Sequence, residues 1–278
     1  MKKIELTIKS TIELNNGLEM FRFGLGTWKL KRNSVVDPVK WALNKEYRLI
    51  DTATFYKNEQ YIGQAIKESE IPRKEIFITS KVWDTDQGYK NTLKAFEKSL
   101  ENLDTEYLDL YLIHWPRKKR NETWKALEKL YSEGRVKAIG VANFAVHHLK
   151  ELIEKYEVVP AVNQFELHPF DYSDEKDLIE FCRKNNIAVE AYSPLTHGRK
   201  LNHPKLKEIA EKYNKSPVQV LIRWSLQHDF ICIPKSGSEA HIRENANVFD
   251  FKLSHADMKI INTLKEDFRL LNDTSKWN

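Results

Sequence analysis

Eight short apolar runs, each followed by polar or helically spaced sequence, limit what this chain can fold into more than any other feature. The runs cover 23–26, 47–50, 76–79, 108–113, 136–141, 161–164, 187–191 and 230–233. Each has the length of a strand buried on both faces. Between them the apolar spacing turns helical. Leu93, Phe96 and Leu100 share one face within 91–102, and Trp124, Leu127 and Leu130 repeat the pattern within 122–133. Eight strands alternating with helices match a closed parallel (β/α)8 TIM barrel, an α/β fold. An open doubly wound sheet is the alternative. It loses ground because the first run leads into Gly24-Leu25-Gly26-Thr27-Trp28, without the third glycine of a dinucleotide fingerprint. Ahead of the barrel, alternating residues over 4–20 with a turn at Asn15-Asn16-Gly17 read as an N-terminal β-hairpin. The 278 residues contain no low-complexity linker or compositional break, so 1–278 reads as a single barrel domain.

Barrels of this kind place their chemistry at the C-terminal ends of the strands. Those positions carry Thr27-Trp28, Asp51, Lys81, His114, Asn143, Gln164, Tyr192 and Lys235. Singly, each has an ordinary explanation: Asp51 as a helix cap, Lys81 as a surface lysine, His114 as a core histidine, and the nearby Tyr56 as packing. Together they put a polar side chain at the same end of every strand, which random surface polarity would not do. A tyrosine beside a lysine and an aspartate has a specific use. Free phenol ionises near pH 10, too high for efficient acid–base work at neutral pH. A neighbouring ammonium is expected to lower that value, and a buried carboxylate to keep the ammonium charged. Such a tyrosine protonates a carbonyl oxygen while a histidine alongside orients it.

Composition narrows the classes of partner. The net charge of +5 arises from 45 basic and 40 acidic residues interleaved along the chain, which excludes a nucleic-acid-binding stripe. The basic run 117–120 reads as a solvated loop. Cys182 and Cys232 stand far apart, so no disulfide framework or zinc ribbon is expected. His147-His148 falls on a helical stretch and His168 in a loop with no third ligand in view, so no metal is expected either. The opening MKKIELTIKST has no apolar run of the signal-peptide kind, and no stretch approaches ~18 apolar residues. A cytoplasmic protein that engages no membrane is the expectation.

The chain resembles the aldo-keto reductases, similar to short, prokaryotic-type diketogluconate and aldose reductase-like members. The matching motifs are GLGTW (24–28), RLIDTA (48–53) with Tyr56 and Asn58-Glu59, ITSKVW (78–83), YLDLYLIHWP (107–116), GRVKAIGVANF (134–144), VNQFELHP (162–169), AYSPL (191–195), IPKS (233–236) and Glu244-Asn245. The resemblance implies an oxidoreductase that reduces aldehydes and ketones with NADPH. It implies a catalytic tetrad of Asp51, Tyr56, Lys81 and His114, with Tyr56 as proton donor. For the cofactor it implies Thr27, Trp28 and Asp51, then Asn143 and Gln164 at the carboxamide and Tyr192 stacked on the nicotinamide. Ser193 and Leu195 would follow the pyrophosphate, Lys235, Ser236 and His241 the 2′-phosphate, and Glu244 and Asn245 the adenine. Trp28, Trp83 and Trp115, with Tyr56 and His114, would line the substrate pocket. The expected partner is a small carbonyl compound, and relatives of this kind are commonly monomers.

Two departures qualify the picture. Ala142 stands where the family usually has serine, which removes one carboxamide contact. His241 stands where an arginine usually clasps the 2′-phosphate, and a mostly neutral imidazole contributes less charge there, so NADH becomes a second candidate cofactor. The stretch after Phe251 is short, which predicts an open pocket and broad substrate range. Competing readings are a metal-dependent hydrolase or isomerase barrel, and a catalytically weak NADP(H)-binding partner, sensor or structural protein on the same fold.

Overall fold

The computed structural model describes residues 6–277. Strands β1 (Thr11–Glu13) and β2 (Glu19–Phe21) pair antiparallel with Ile12 opposite Met20, and Gly17 takes the left-handed conformation in the turn between them. The hairpin is thus shorter than the pattern over 4–20 suggests, and Ile4 lies outside the described residues.

Eight parallel strands follow: β3 (Gly24–Gly26), β4 (Leu49–Asp51), β5 (Phe77–Val82), β6 (Leu108–Ile113), β7 (Val136–Ala142), β8 (Val162–Glu166), β9 (Ala188–Tyr192) and β10 (Ile231–Cys232). They lie side by side in chain order, and bridges between Phe23 and Cys232 and between Gly26 and Lys235 close the ring. The helices are α1 (Val36–Asn44), α2 (Glu59–Glu68), α3 (Tyr89–Leu103), α4 (Arg120–Ser132), α5 (Val146–Lys155), α6 (Lys176–Lys184), α7 (Pro204–Lys212), α8 (Pro217–Gln227), α9 (Glu239–Ala246) and α10 (His255–Ile261). Every apolar run overlaps one barrel strand. The run at 47–50 enters its strand late because Tyr47 packs under α9, its hydroxyl donating to the Ile242 carbonyl at 3.0 Å.

Two apolar layers hold the barrel. Inside, Leu49, Phe77, Leu110, Leu112, Val162 and Ile231 pack with Leu14 and Met20 of the hairpin. The hairpin therefore stoppers the end of the barrel where the strands begin, and the opposite end stays available for polar groups. Outside, strand residues such as Ile50, Ile78, Tyr111 and Val141 meet the helical faces of Phe96, Trp124 and Leu127. Each large side chain buried this way contributes roughly 1.5–3 kcal/mol. At the closing seam a Cβ on Gly26 would lie 2.7 Å from the Ile233 carbonyl oxygen, so only glycine lets the first and last strands approach. No helix among the described residues is long and apolar enough to cross a membrane.

Candidate active site

Register assembles the ionic floor of the site. Asp51 pairs with Thr79 across β4 and β5, which leaves Lys81 two residues further up the neighbouring strand. The Lys81 side chain is fully buried and its Nζ meets both Asp51 oxygens at 2.7 Å and the Thr52 carbonyl at 2.9 Å. Tyr56 sits in a single 3-10 turn (Thr54–Tyr56) after β4, with its ring centroid 5.2 Å from that ammonium. His114 lies just past β6, its ring edge-on to Tyr56 at 5.8 Å and to Trp83 at 5.0 Å. Three of the four sequence-derived tetrad residues, Asp51, Tyr56 and His114, line one cavity of about 600 Å³, and Lys81 supports it from beneath.

The electrostatics differ from the expectation that Lys81 lowers the phenol. Burial raises Tyr56 well above its ordinary value of 10, and the charge of Asp51, with that of Glu190 whenever it is ionised, pushes the same way. The physical reason is that burial of the phenol, with the carboxyl groups beside it, outweighs the ammonium 5.2 Å from its ring. Tyr56 is therefore a firmly protonated acid. Burial, reinforced by Lys81, holds His114 well below its ordinary range, so the imidazole is neutral, and its Nδ1 has no partner among the described residues.

Aromatic side chains wall the cavity above this floor: Trp28, Phe55, Trp83 and Trp115. Phe55 was not singled out in the sequence, although it precedes Tyr56. It is 46% exposed and stacks on Trp83 at 3.8 Å between ring centroids, so it forms a lip rather than core. The cavity continues past Asn143, Gln164 and Tyr192 to Ser193 and Leu195, and on to Lys235, Ser236, His241, Glu244 and Asn245. Asn143 holds a left-handed backbone at the end of β7. Its amide donates to the His114 carbonyl at 2.9 Å and accepts from the Tyr192 hydroxyl at 2.7 Å. Glu244 accepts from Ser216, the N-cap of α8.

Apart from Lys81, Thr27 is the sequence-derived residue that the cavity leaves out. Its hydroxyl is buried and donates to the Asp51 carbonyl at 2.8 Å, tying the first two strand ends together, while Gly26 and Trp28 face the cavity instead. Lys29 and His197, which the sequence did not flag, also line it. The His197 ring lies 5.3 Å from Trp28 and its Nε2 is 3.1 Å from the Ser193 hydroxyl. Burial, then the charge of Lys29, lowers Lys235. The basic run at 117–120 is partly neutralised, with Arg117 on Asp84 and Arg120 on Glu151.

The stretch beyond α10 does not leave the pocket open. It folds back over the strand ends, and Leu271 lines the cavity. The backbone amides of Leu270 and Leu271 donate to Glu166 at 2.7 and 2.9 Å, and Thr274 donates to the Asn143 carbonyl at 2.7 Å. Trp277 packs 5.5 Å from Trp115, under the Arg117 guanidinium, and its carbonyl contacts His147 and His148. His168 also gains partners that its loop position hid, with ring nitrogens 3.1 Å from Glu166 and from Asp171. Burial alone would lower this histidine, but Asp171 and Glu166 overcome it and raise the imidazole to about 9. The cluster is an imidazolium held between carboxylates, and it anchors the tail.

Residues 20–266 match the Aldo/keto reductase family. The glyoxal reductase of Bacillus subtilis (strain 168) is 53% identical over 266 residues, spanning 95% of this chain and 96% of that protein. The 9,11-endoperoxide prostaglandin H2 reductase of Trypanosoma cruzi is 50% identical over 271 residues, 96% of this chain and 95% of its own. Among solved structures, a mutant of Gox0644 in complex with NADPH superposes with a TM-score of 0.91 at 41% identity, covering 97% of this chain and 99% of its own. With an eight-stranded barrel, a cavity at its C-terminal face and this likeness along nearly its whole length, the chain belongs to the aldo/keto reductase family.

Proposed function

We propose that this enzyme reduces small aldehydes and ketones to alcohols with NADPH, using Tyr56 as the proton donor. One observation carries the reading: a protonated phenol and a neutral imidazole meet at the floor of an aromatic-walled cavity, above a buried Lys81–Asp51 pair. The cavity also fits the cofactor. It runs from Asp51 past the amides of Asn143 and Gln164 and the ring of Tyr192 to the cations Lys29 and Lys235, with Glu244 and Asn245 at its far end. Asn143 and Gln164 would hold the carboxamide, Tyr192 the nicotinamide face, Ser193 and Leu195 the pyrophosphate, and Lys235 with Ser236 and His241 the 2′-phosphate.

A bound reduced nicotinamide supplies hydride to the carbonyl carbon. The residues of the chain do the rest. His114 orients the carbonyl with a hydrogen bond, which its neutral state permits at neutral pH. The Tyr56 O–H breaks and its proton goes to the carbonyl oxygen, leaving a phenolate beside the Lys81 ammonium. Lys81, paired with Asp51, stabilises that phenolate as it forms. A phenol with a high resting value suits this direction, since it enters each turnover fully protonated. Trp28, Trp83 and Trp115 desolvate the carbon skeleton of the substrate.

The test is a titration with NADPH and NADH followed by tryptophan fluorescence, then turnover of glyoxal and of an aromatic aldehyde. Saturable quenching with oxidation of the reduced cofactor is the expected result. Binding without turnover across a broad carbonyl panel would sink the proposal in favour of a non-catalytic cofactor-binding protein.

A further inference from the structure

Beneath the tetrad lies a second carboxyl that the proposed chemistry does not use. Glu190 sits on β9, directly across from Gln164 on β8 and Ile231 on β10, and is completely shielded from solvent. The side-chain nitrogen of Gln164 donates at once to Asp51 Oδ2 at 2.9 Å and to Glu190 Oε2 at 2.8 Å. Glu190 Oε1 has no hydrogen-bond partner among the described residues. The charges facing this group are Asp51 from β4 and Lys81 from β5, with the titratable phenol of Tyr56 from the turn after β4. Two carboxyls therefore share one amide nitrogen, and the single ammonium among them is bound to Asp51 through both of its oxygens.

That geometry assigns the proton. One cation cannot neutralise two buried carboxylates, and a dry interior makes an uncompensated charge costly. Asp51 has the lysine and Glu190 does not. Burial, followed by the charge of Asp51, accordingly raises Glu190 to about 8.

We propose that Glu190 is a positioning residue of this site: it is carried protonated in the working enzyme, fixes the Gln164 amide against Asp51, and by its ionisation switches off reduction at alkaline pH. This rests on the proposed role of Tyr56. When Tyr56 gives up its proton a phenolate forms, and Glu190, once ionised, opposes it, because a negative charge there disfavours a phenolate at Tyr56. Protonated Glu190 adds no such penalty. The hydrogen bond that Glu190 accepts, together with the one to Asp51, also orients the Gln164 amide, so that its oxygen stays available to the cavity that Gln164 lines.

The experiment is the pH dependence of kcat for aldehyde reduction at saturating NADPH, in the wild type and in Glu190→Gln. Glutamine keeps the shape and cannot ionise. The expected wild-type profile falls about tenfold per pH unit above a single mildly alkaline transition. Glu190→Gln should lose that limb while keeping kcat near neutral pH within about threefold, a small change in barrier. An unchanged alkaline limb in the variant overturns the proposal. An infrared titration of the wild type gives a reading that needs no variant. A protonated-carboxyl C=O band should disappear across the same transition, and its absence at neutral pH overturns the proposal as well. Tyr56→Phe separates the two levels. If it turns over normally, the proton-donor reading fails; if it is inactive while Glu190→Gln keeps the wild-type limb, only the role of Glu190 fails.

Discussion

Lys81 and Asp51 are each other's principal partner: one ammonium, two carboxylate oxygens, both at 2.7 Å, with the lysine fully buried and the aspartate almost so. Removing one member strands the other. Asp51→Asn should destabilise the fold by about 3–5 kcal/mol, as should Lys81→Met, because each leaves an uncompensated buried charge. The double variant should cost clearly less than the sum of the two. Urea denaturation of the four proteins measures the coupling, and strict additivity would contradict a committed pair.

Tyr56→Phe removes one hydroxyl and little packing. Its kcat/KM for carbonyl reduction should fall by on the order of 10²–10⁴-fold, the range that a positioned proton donor contributes. NADPH affinity should stay close to wild type, because the phenol belongs to the substrate end of the cavity. Steady-state kinetics alongside a fluorescence titration checks both halves.

His241 lies exposed at the far end of the same cavity as Lys29 and Lys235. His241→Arg adds a permanent charge where the 2′-phosphate would sit. NADPH binding should tighten by roughly twofold to fivefold, the range for exposed ion pairs, with NADH nearly unaffected. Equal gains for both cofactors would place the 2′-phosphate elsewhere.

His168 makes stability depend on pH. Its folded value, about 9, lies above the ordinary 6.5, so its contribution is complete below about pH 6.5 and disappears as pH rises through about 9. Linkage sets the loss at about 3 kcal/mol across that window. His168→Gln should be less stable at neutral pH and should show a flatter profile over the same range. Thermal unfolding at several pH values tests it. Trp277 fluorescence should report tail release in the variant, since Glu166 would lose the imidazolium that holds it ionised against Leu270 and Leu271.

The barrel was legible because a strand buried on both faces must be a continuous apolar run, and each of the eight runs overlaps one strand of the ring. Strand ends moved by a few residues where tertiary packing overrode local pattern, as at Tyr47. Nearly all the polar residues at the strand tops do converge on one cavity, because parallel register aligns those ends. What stayed hidden depended on contacts between distant parts of the chain. Thr27 could have faced either way, and only its bond to the Asp51 carbonyl decides it. Glu190 reads as an ordinary strand residue until Gln164 and Asp51 are seen beside it. The tail is bound through the amides of Leu270 and Leu271, and backbone groups leave no signature in a sequence. The direction of the effect on Tyr56 was hidden for a related reason, since spacing shows that a lysine is near but not how deeply the phenol is buried beside carboxyl groups.

The ring closes unevenly. Between β6 and β7 five residue pairs are in register, whereas β3 and β10 meet through isolated bridges at Phe23–Cys232 and Gly26–Lys235. Gly26 and Lys235 also line the cavity, one beside the substrate end and the other among the groups proposed for the 2′-phosphate. On heating, a cylinder built this way unzips first along its thinnest join. Its grip on the nucleotide would then slacken while most of the staves still stand, so catalysis would fail at a lower temperature than the fold, and a saturating dinucleotide spanning the join would act as the hoop that delays both.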